Sequence, residues 1–180
     1  EADDVSVIDS RGRTLAARVV AYDHASGFAL VRTLAAMTAQ PVALGDSTKL
    51  AAREPVMIAS AGEETVSFAF VASKRPFAGN WEYALDEAIF TTPPIAHWSG
   101  AGLFDREGRL LGVGSLIVRN ALDEDTALPG NMFVPIDLLK PILADMVSAG
   151  RRAGPARPWL GVATDEVQGR LVVTRVSPDG

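Results

Sequence analysis

Cysteine is absent from the 180 residues, and histidine occurs only twice, at His24 and His97. The first absence excludes disulfides, thiolate zinc sites and thiol nucleophiles, and the second leaves too few imidazoles for a histidine metal cluster. No metal or cofactor is therefore expected. Long apolar runs are missing too, none approaching the roughly 20 residues of a membrane-crossing helix. Basic residues never cluster beyond a pair, and the net charge is −5, so nothing offers a footprint for a phosphate backbone and nucleic acid is not an expected partner. The chain opens at Glu1 with neither methionine nor an apolar signal core, the look of a processed or cut fragment.

What the sequence does have is an apolar content of 48% against 22% charge, the balance of a globular domain. Short β-rich runs alternate with Gly, Asp and Asn, which predicts an all-β sandwich or barrel. Val5–Ile8, Leu15–Tyr22 and Phe28–Thr33 read as a first set of strands. Pro55–Ala59, Thr65–Ser73, Ala88–Thr92, Gly102–Phe104, Leu110–Val118 and Met132–Pro135 form a second set, enough for a small closed barrel. The turns Asp9-Ser10-Arg11-Gly12 and Asp105-Arg106-Glu107-Gly108 join neighbouring strands. No internal repeat stands out. Apolar residues at Ile136, Leu139, Ile142, Leu143, Met146 and Val147 have helical spacing, closed by Gly150, with Pro141 predicting a kink or a late start. Residues 151–158 read as a linker, after which Trp159–Val162 and Arg170–Val176 open another β module.

Several stretches carry a family likeness. Arg18 to Arg32, including Tyr22-Asp23-His24-Ala25-Ser26-Gly27-Phe28-Ala29-Leu30, is followed by Pro41-Val42-Ala43-Leu44-Gly45-Asp46-Ser47 and then by Gly62-Glu63-Glu64-Thr65-Val66-Ser67. His97-Trp98-Ser99-Gly100-Ala101-Gly102-Leu103 follows, then Phe133-Val134-Pro135-Ile136-Asp137 and Pro158-Trp159-Leu160-Gly161-Val162. In this order the chain resembles an HtrA/Deg-type, trypsin-like serine protease domain running into the start of a PDZ domain. The resemblance implies an all-β, trypsin-like double β-barrel over 1–150: part of a first barrel in 1–50, a second barrel in 51–135 and a helix in 136–150. A linker, 151–158, and a truncated PDZ opening, 159–180, follow. With only the second half of the first barrel present, Val19, Ala29 and Val31 are expected to lie open, beside an unpaired strand edge.

The departures from the family matter for chemistry. A serine hydroxyl needs a base to take its proton, and in this family a histidine does so while an aspartate orients it. By resemblance Ser99 stands at the nucleophile position, Gly27 where the aspartate belongs, and the histidine falls upstream of Glu1. The oxyanion hole would use the backbone at His97 and Ser99, where the family places glycine at the position of His97. Trp159, Leu160, Gly161 and Val162 are similar to the PDZ loop whose N–H groups receive a peptide carboxylate, although two strands without a groove helix are not expected to bind peptide alone.

Other residues admit blander readings. His24 and His97 read as turn or surface histidines, and Asp123-Glu124-Asp125 as a solvated loop rather than a cation site. Phe77, Trp81, Tyr83 and Trp98 either line a groove or pack the barrel ends.

Two functions stand side by side. One is a degenerate pseudo-protease that keeps a role in binding peptides or partners. The other is an active endopeptidase of protein quality control whose histidine lies upstream. The resemblance further implies a bacterial periplasmic or envelope-facing location, unfolded or C-terminal peptide segments as partners, and a homo-oligomer.

Overall fold

A computed structural model describes residues 5–61, 66–79, 83–154 and 161–177. Strands β1 (Val5–Ile8), β2 (Thr14–Asp23) and β3 (Phe28–Thr33) form an antiparallel sheet in the order β1-β2-β3. Strands β4 (Pro55–Ala59), β5 (Val66–Ala78), β6 (Ala84–Thr92), β7 (Gly102–Phe104), β8 (Leu110–Val118) and β9 (Gly130–Pro135) close into a barrel, β4-β5-β6-β9-β8-β7. Most of these bounds match the sequence-based expectation. β5 and β6 run longer than expected, because their ends, from Arg75 opposite Ala88 to Ala78 opposite Ala84, pair with each other past the reach of β4 and β9 as a two-stranded ribbon.

Alternation explains the barrel. Val56 and Ile58 of β4, Ala69 and Val71 of β5, Ile89 of β6, Leu103 of β7 and Phe133 of β9 point inward and are almost wholly buried. A second core lies outside the wall, where Phe90, Met132 and Ile136 meet Ala21 and Phe28 of the first sheet. This layer joins the two β units.

The apolar stretch from Ile136 to Ala149 is split at Pro141, the late start that the proline predicted. A 3-10 turn spans Ile136–Leu138, and helix α1 covers Leu143–Ala149, starting just after Pro141. The proline therefore costs no hydrogen bond in the helix interior, the late start its missing N–H favours. Ile142 and Met146, four residues apart, carry the buried stripe into the second core, and Gly150 ends the helix at φ 73°. The expected strand Trp159–Val162 also differs: Trp159 and Leu160 lie outside the described residues, and β10 runs Val162–Val167, paired with β11 (Arg170–Val176).

The first sheet is open, as expected, but on two edges rather than one: among the described residues neither the outer edge of β1 nor that of β3 has a partner strand. Val5 opposes Ala17, Val7 opposes Leu15 and Val19 opposes Val31, so these residues share one face. Val19 and Val31 remain nearly half exposed, at 47% and 45%. Unpaired edges and few buried contacts lower the cost of local opening. Native-state hydrogen exchange should therefore find the β1 and β3 amides exchanging far faster than those of β8 and β9; equal protection would show the open sheet to be as well supported as the barrel.

A five-residue pattern, Asp-x-x-Gly-Arg, closes the β1–β2 and the β7–β8 hairpins alike, a repeat too short to stand out in the sequence. Asp9 Oδ1 accepts the N–H groups of Arg11 and Arg13 at 2.9 Å, and its Oδ2 accepts Arg13 Nε at 2.7 Å. Asp105 does the same with Glu107, Arg109 and Arg109 Nε, at 3.0, 2.8 and 2.7 Å. Hydrogen bonding to the ionised form holds both carboxyls below their usual range; at Asp105 burial opposes the shift without cancelling it.

Asp137 fastens the segment before β4 to the segment before α1. Its Oδ2 accepts Ser47 N–H at 2.6 Å and Ser47 Oγ at 2.5 Å, and its Oδ1 accepts Lys140 Nζ at 2.5 Å. Burial pushes the Asp137 carboxyl up, but the bonds from Lys140 and Ser47 outweigh it and hold the group below the ordinary carboxylate range. A depressed folded-state value means that this stability is complete above the unfolded value and lost as pH falls through the folded one. Asp137→Asn should thus cost about 2 kcal/mol at neutral pH, the scale of hydrogen bonds to a charged group. In urea unfolding the gap between variant and parent should close in acid, and a gap unchanged by pH would contradict this role.

Candidate functional site

Between the open sheet and the barrel lies a cleft of about 360 Å³ lined by Ser26, Gly27, Phe28, Tyr83, Trp98, Ser99, Val113, Gly114, Ser115, Leu116 and Val134. Two of its walls hold the residues singled out in the sequence, Gly27 on one side and Ser99 on the other.

The Gly27 wall is the tight turn between β2 and β3. Asp23 is 5% exposed, accepts Ser26 N–H at 3.0 Å and Ser26 Oγ at 2.6 Å, and lies 3.7 Å from Arg152 Nε. Gly27 N–H donates to Asp23 O at 2.8 Å with φ at 75°, a left-handed backbone that favours glycine. The Asp23 carboxylate is thus committed to its own turn. His24 is exposed and sets its ring edge-on to Tyr22, with centroids 4.5 Å apart, which agrees with an ordinary turn histidine.

The Ser99 wall is the loop from Pro93 to Ala101, fastened at both ends. The buried Asn131 of β9 accepts Ile95 N–H at 2.7 Å and donates to Ile95 O at 3.3 Å. At the other end Gly100 N–H donates to Gly114 O at 2.9 Å, Gly114 N–H to Ala101 O at 2.7 Å and Ala101 N–H to Trp98 O at 3.1 Å. Gly114 is essential to that fit, since a Cβ there would overlap the Trp98 carbonyl. Ser99 and His97 are exposed, and neither side chain makes a hydrogen bond among the described residues. His97 does not adopt a left-handed backbone; in this turn that conformation falls on Gly100, φ 72°.

Tyr83, one of the aromatic residues singled out in the sequence, makes contacts that sequence reasoning did not foresee. Its hydroxyl hydrogen-bonds Ser115 Oγ, and its ring packs edgewise on Phe77 with centroids 6.4 Å apart. The same ring lies over Gly27, so that a Cβ at Gly27 would come within 2.8 Å of Tyr83 Cδ1 and closer still to Cε1. No local signal tells a tyrosine that reaches another sheet from one that caps a strand. Of the four aromatic residues singled out, Tyr83 and Trp98 line the cleft, Phe77 supports Tyr83, and Trp81 lies outside the described residues. Asp123 accepts Asp125 N–H at 3.0 Å and Thr126 N–H at 2.6 Å, closing its own loop, and among the described residues no three His, Asp or Glu converge as metal ligands. In the candidate carboxylate loop, Gly161 has φ 61° and accepts Ser177 N–H at 2.6 Å, while Val162 begins β10.

Against solved structures, the chain is similar to the HtrA-type protease AlgW bound to a decapeptide, at 21% identity and a TM-score of 0.67 over 99% of this chain and 57% of that one. Deg5 matches at 20% identity, TM-score 0.63, over 82% of this chain and 69% of its own. The MamO protease domain from Magnetospirillum magneticum matches at 15% identity and 0.59, over 76% and 72%. The chain thus spans little more than half the length of AlgW. No curated protein matches it. The fold is that of the HtrA-type proteases, and a family model for the trypsin-like peptidase domain matches residues 1–113. By that match, over more than half its length, the chain belongs to the trypsin-like peptidase family.

Proposed function

We propose that this chain is a degenerate HtrA-like protease domain whose cleft binds unfolded or C-terminal peptide segments without cutting them. The observation that carries the reading is Gly27: the position that resemblance gives to the orienting aspartate has no side chain, and an aromatic ring fills the space beside it. The Asp23 carboxylate cannot serve instead, since Ser26 and Arg152 engage it. The cleft is otherwise suited to a peptide, with apolar Phe28, Val113, Leu116 and Val134 beside the hydroxyls of Ser99 and Ser115. AlgW, of similar fold, is known with a decapeptide bound.

On this reading residues 1–50 belong to a first barrel, 51–135 to a second and 159–180 to the opening of a PDZ module, in a bacterial envelope-facing protein that acts as a homo-oligomer. Fluorescence anisotropy with a labelled unfolded polypeptide, followed by electrophoresis of the same sample, tests it. Binding with the polypeptide intact is the expected result. Cleavage that Ser99→Ala removes would instead establish the endopeptidase reading, which the exposed Ser99 on the cleft wall favours.

A further inference from the structure

We propose that Tyr83 is an internal plug, an aromatic ligand supplied by the chain itself to a slot between Gly27 and Ser115. The slot has a floor, a polar anchor and a side wall. The floor is the bare backbone of Gly27, over which the ring lies within the distance that any Cβ would need. The anchor is Ser115 Oγ, which hydrogen-bonds the phenolic hydroxyl from β8. Phe77 supports the ring edge-on from the β5–β6 ribbon, the geometry favoured between aromatic quadrupoles.

These contacts come from separate parts of the chain, the β2–β3 turn, the β5–β6 ribbon and β8, so one side chain ties the open sheet to the barrel across the cleft. The arrangement also gives Gly27 a reason to be glycine beyond its backbone angle. Gly12 provides the comparison within the same molecule: its φ is 73° against 75° at Gly27, yet a Cβ there would meet nothing within 4 Å. The two positions share the backbone strain of a left-handed turn and differ in the ring. The slot is shaped for a para-hydroxylated aromatic ring, so a tyrosine-like group arriving from outside has to displace Tyr83 to enter. This inference deepens the reading of the cleft as a peptide site but rests on the packing of Tyr83 alone.

Two measurements on the full chain test it. Alanine at Gly27 should lower the melting temperature by several degrees more than alanine at Gly12, because only the former meets the ring; equal shifts would overturn the plug. In Tyr83→Ala, p-cresol should bind saturably and raise the melting temperature, while the parent chain shows no such binding and Gly27→Ala/Tyr83→Ala loses it. A folded Tyr83→Ala that ignores p-cresol, or a parent that binds it equally well, would refute the proposal. Should Tyr83→Ala fail to fold, the glycine comparison still decides the matter. Neither readout depends on peptide binding, so the plug and the proposed function can fail separately.

Discussion

Ser99 stays unlabelled by a fluorophosphonate that modifies working trypsin-like enzymes, and unfolded casein survives overnight incubation with the chain: this is the expected result. A serine attacks a carbonyl only when a base removes its proton, and among the described residues no imidazole reaches the Ser99 hydroxyl. In triad enzymes, loss of any member leaves roughly 10³–10⁴-fold acceleration over water, which comes from the oxyanion hole and substrate binding. By resemblance the position of the orienting carboxylate falls on Gly27, and the hole would need backbone donors from a loop in which His97 is not left-handed. Gly27→Asp should restore nothing. It places a Cβ against the Tyr83 ring, strains a turn at φ 75°, and supplies a carboxylate where, among the described residues, no imidazole reaches the Ser99 hydroxyl to be oriented. Stoichiometric labelling of Ser99, together with casein cleavage that Ser99→Ala abolishes, would overturn this.

Gly114→Ala should be the most damaging small substitution in the cleft. The added methyl group would overlap the Trp98 carbonyl, a backbone atom that cannot swing aside as a flexible side chain could. Gly114 also exchanges hydrogen bonds with Gly100 and Ala101, so relieving the clash breaks the strap that holds the Ser99 turn on β8. Overpacking typically costs about 1–3 kcal/mol, and the lost hydrogen bonds add to it, which places the effect at about 3 kcal/mol or more. Chemical denaturation measures the loss, and the indole signals of Trp98 in NMR spectra should shift as the turn moves. Parent-like stability with unmoved Trp98 signals would show that the strap has slack.

Much of this fold was legible because its determinants are local. The short β-rich runs Pro55–Ala59 and Leu110–Val118, bounded by turn residues, are written in the residues themselves, and so is the turn chemistry at Asp105 and Gly108. The apolar spacing of Ile136 and Leu139 continues that of α1, and Pro141, read as a kink or late start, separates a 3-10 turn from the helix proper. At the site, the sequence pointed to Gly27 and Ser99, and both line the cleft. It offered Tyr83 as a groove-lining or packing aromatic but could not reveal what the ring meets. Its partners Gly27 and Ser115 are far from it in the chain, and such pairings arise from how the strands wrap, not from any spacing. The same holds for Asn131, whose side chain pins the backbone of Ile95.

The Asp-x-x-Gly-Arg clasp, present once in each β unit, makes the two units copies of one hairpin followed by a third strand. Superposing that shared plan gives β1, β2 and β3 the places of β7, β8 and β9. In the barrel, the free sides of β7 and β9 are taken by β4 and β6, antiparallel in both cases. In the first sheet, among the described residues, the corresponding flanks of β1 and β3 carry no partner strand, and Val19 and Val31 stay half exposed. Transplanting residues 9–13 into the place of 105–109, and the reverse, should leave both hairpin registers intact, since each clasp satisfies its own backbone donors and asks nothing of the sheet around it.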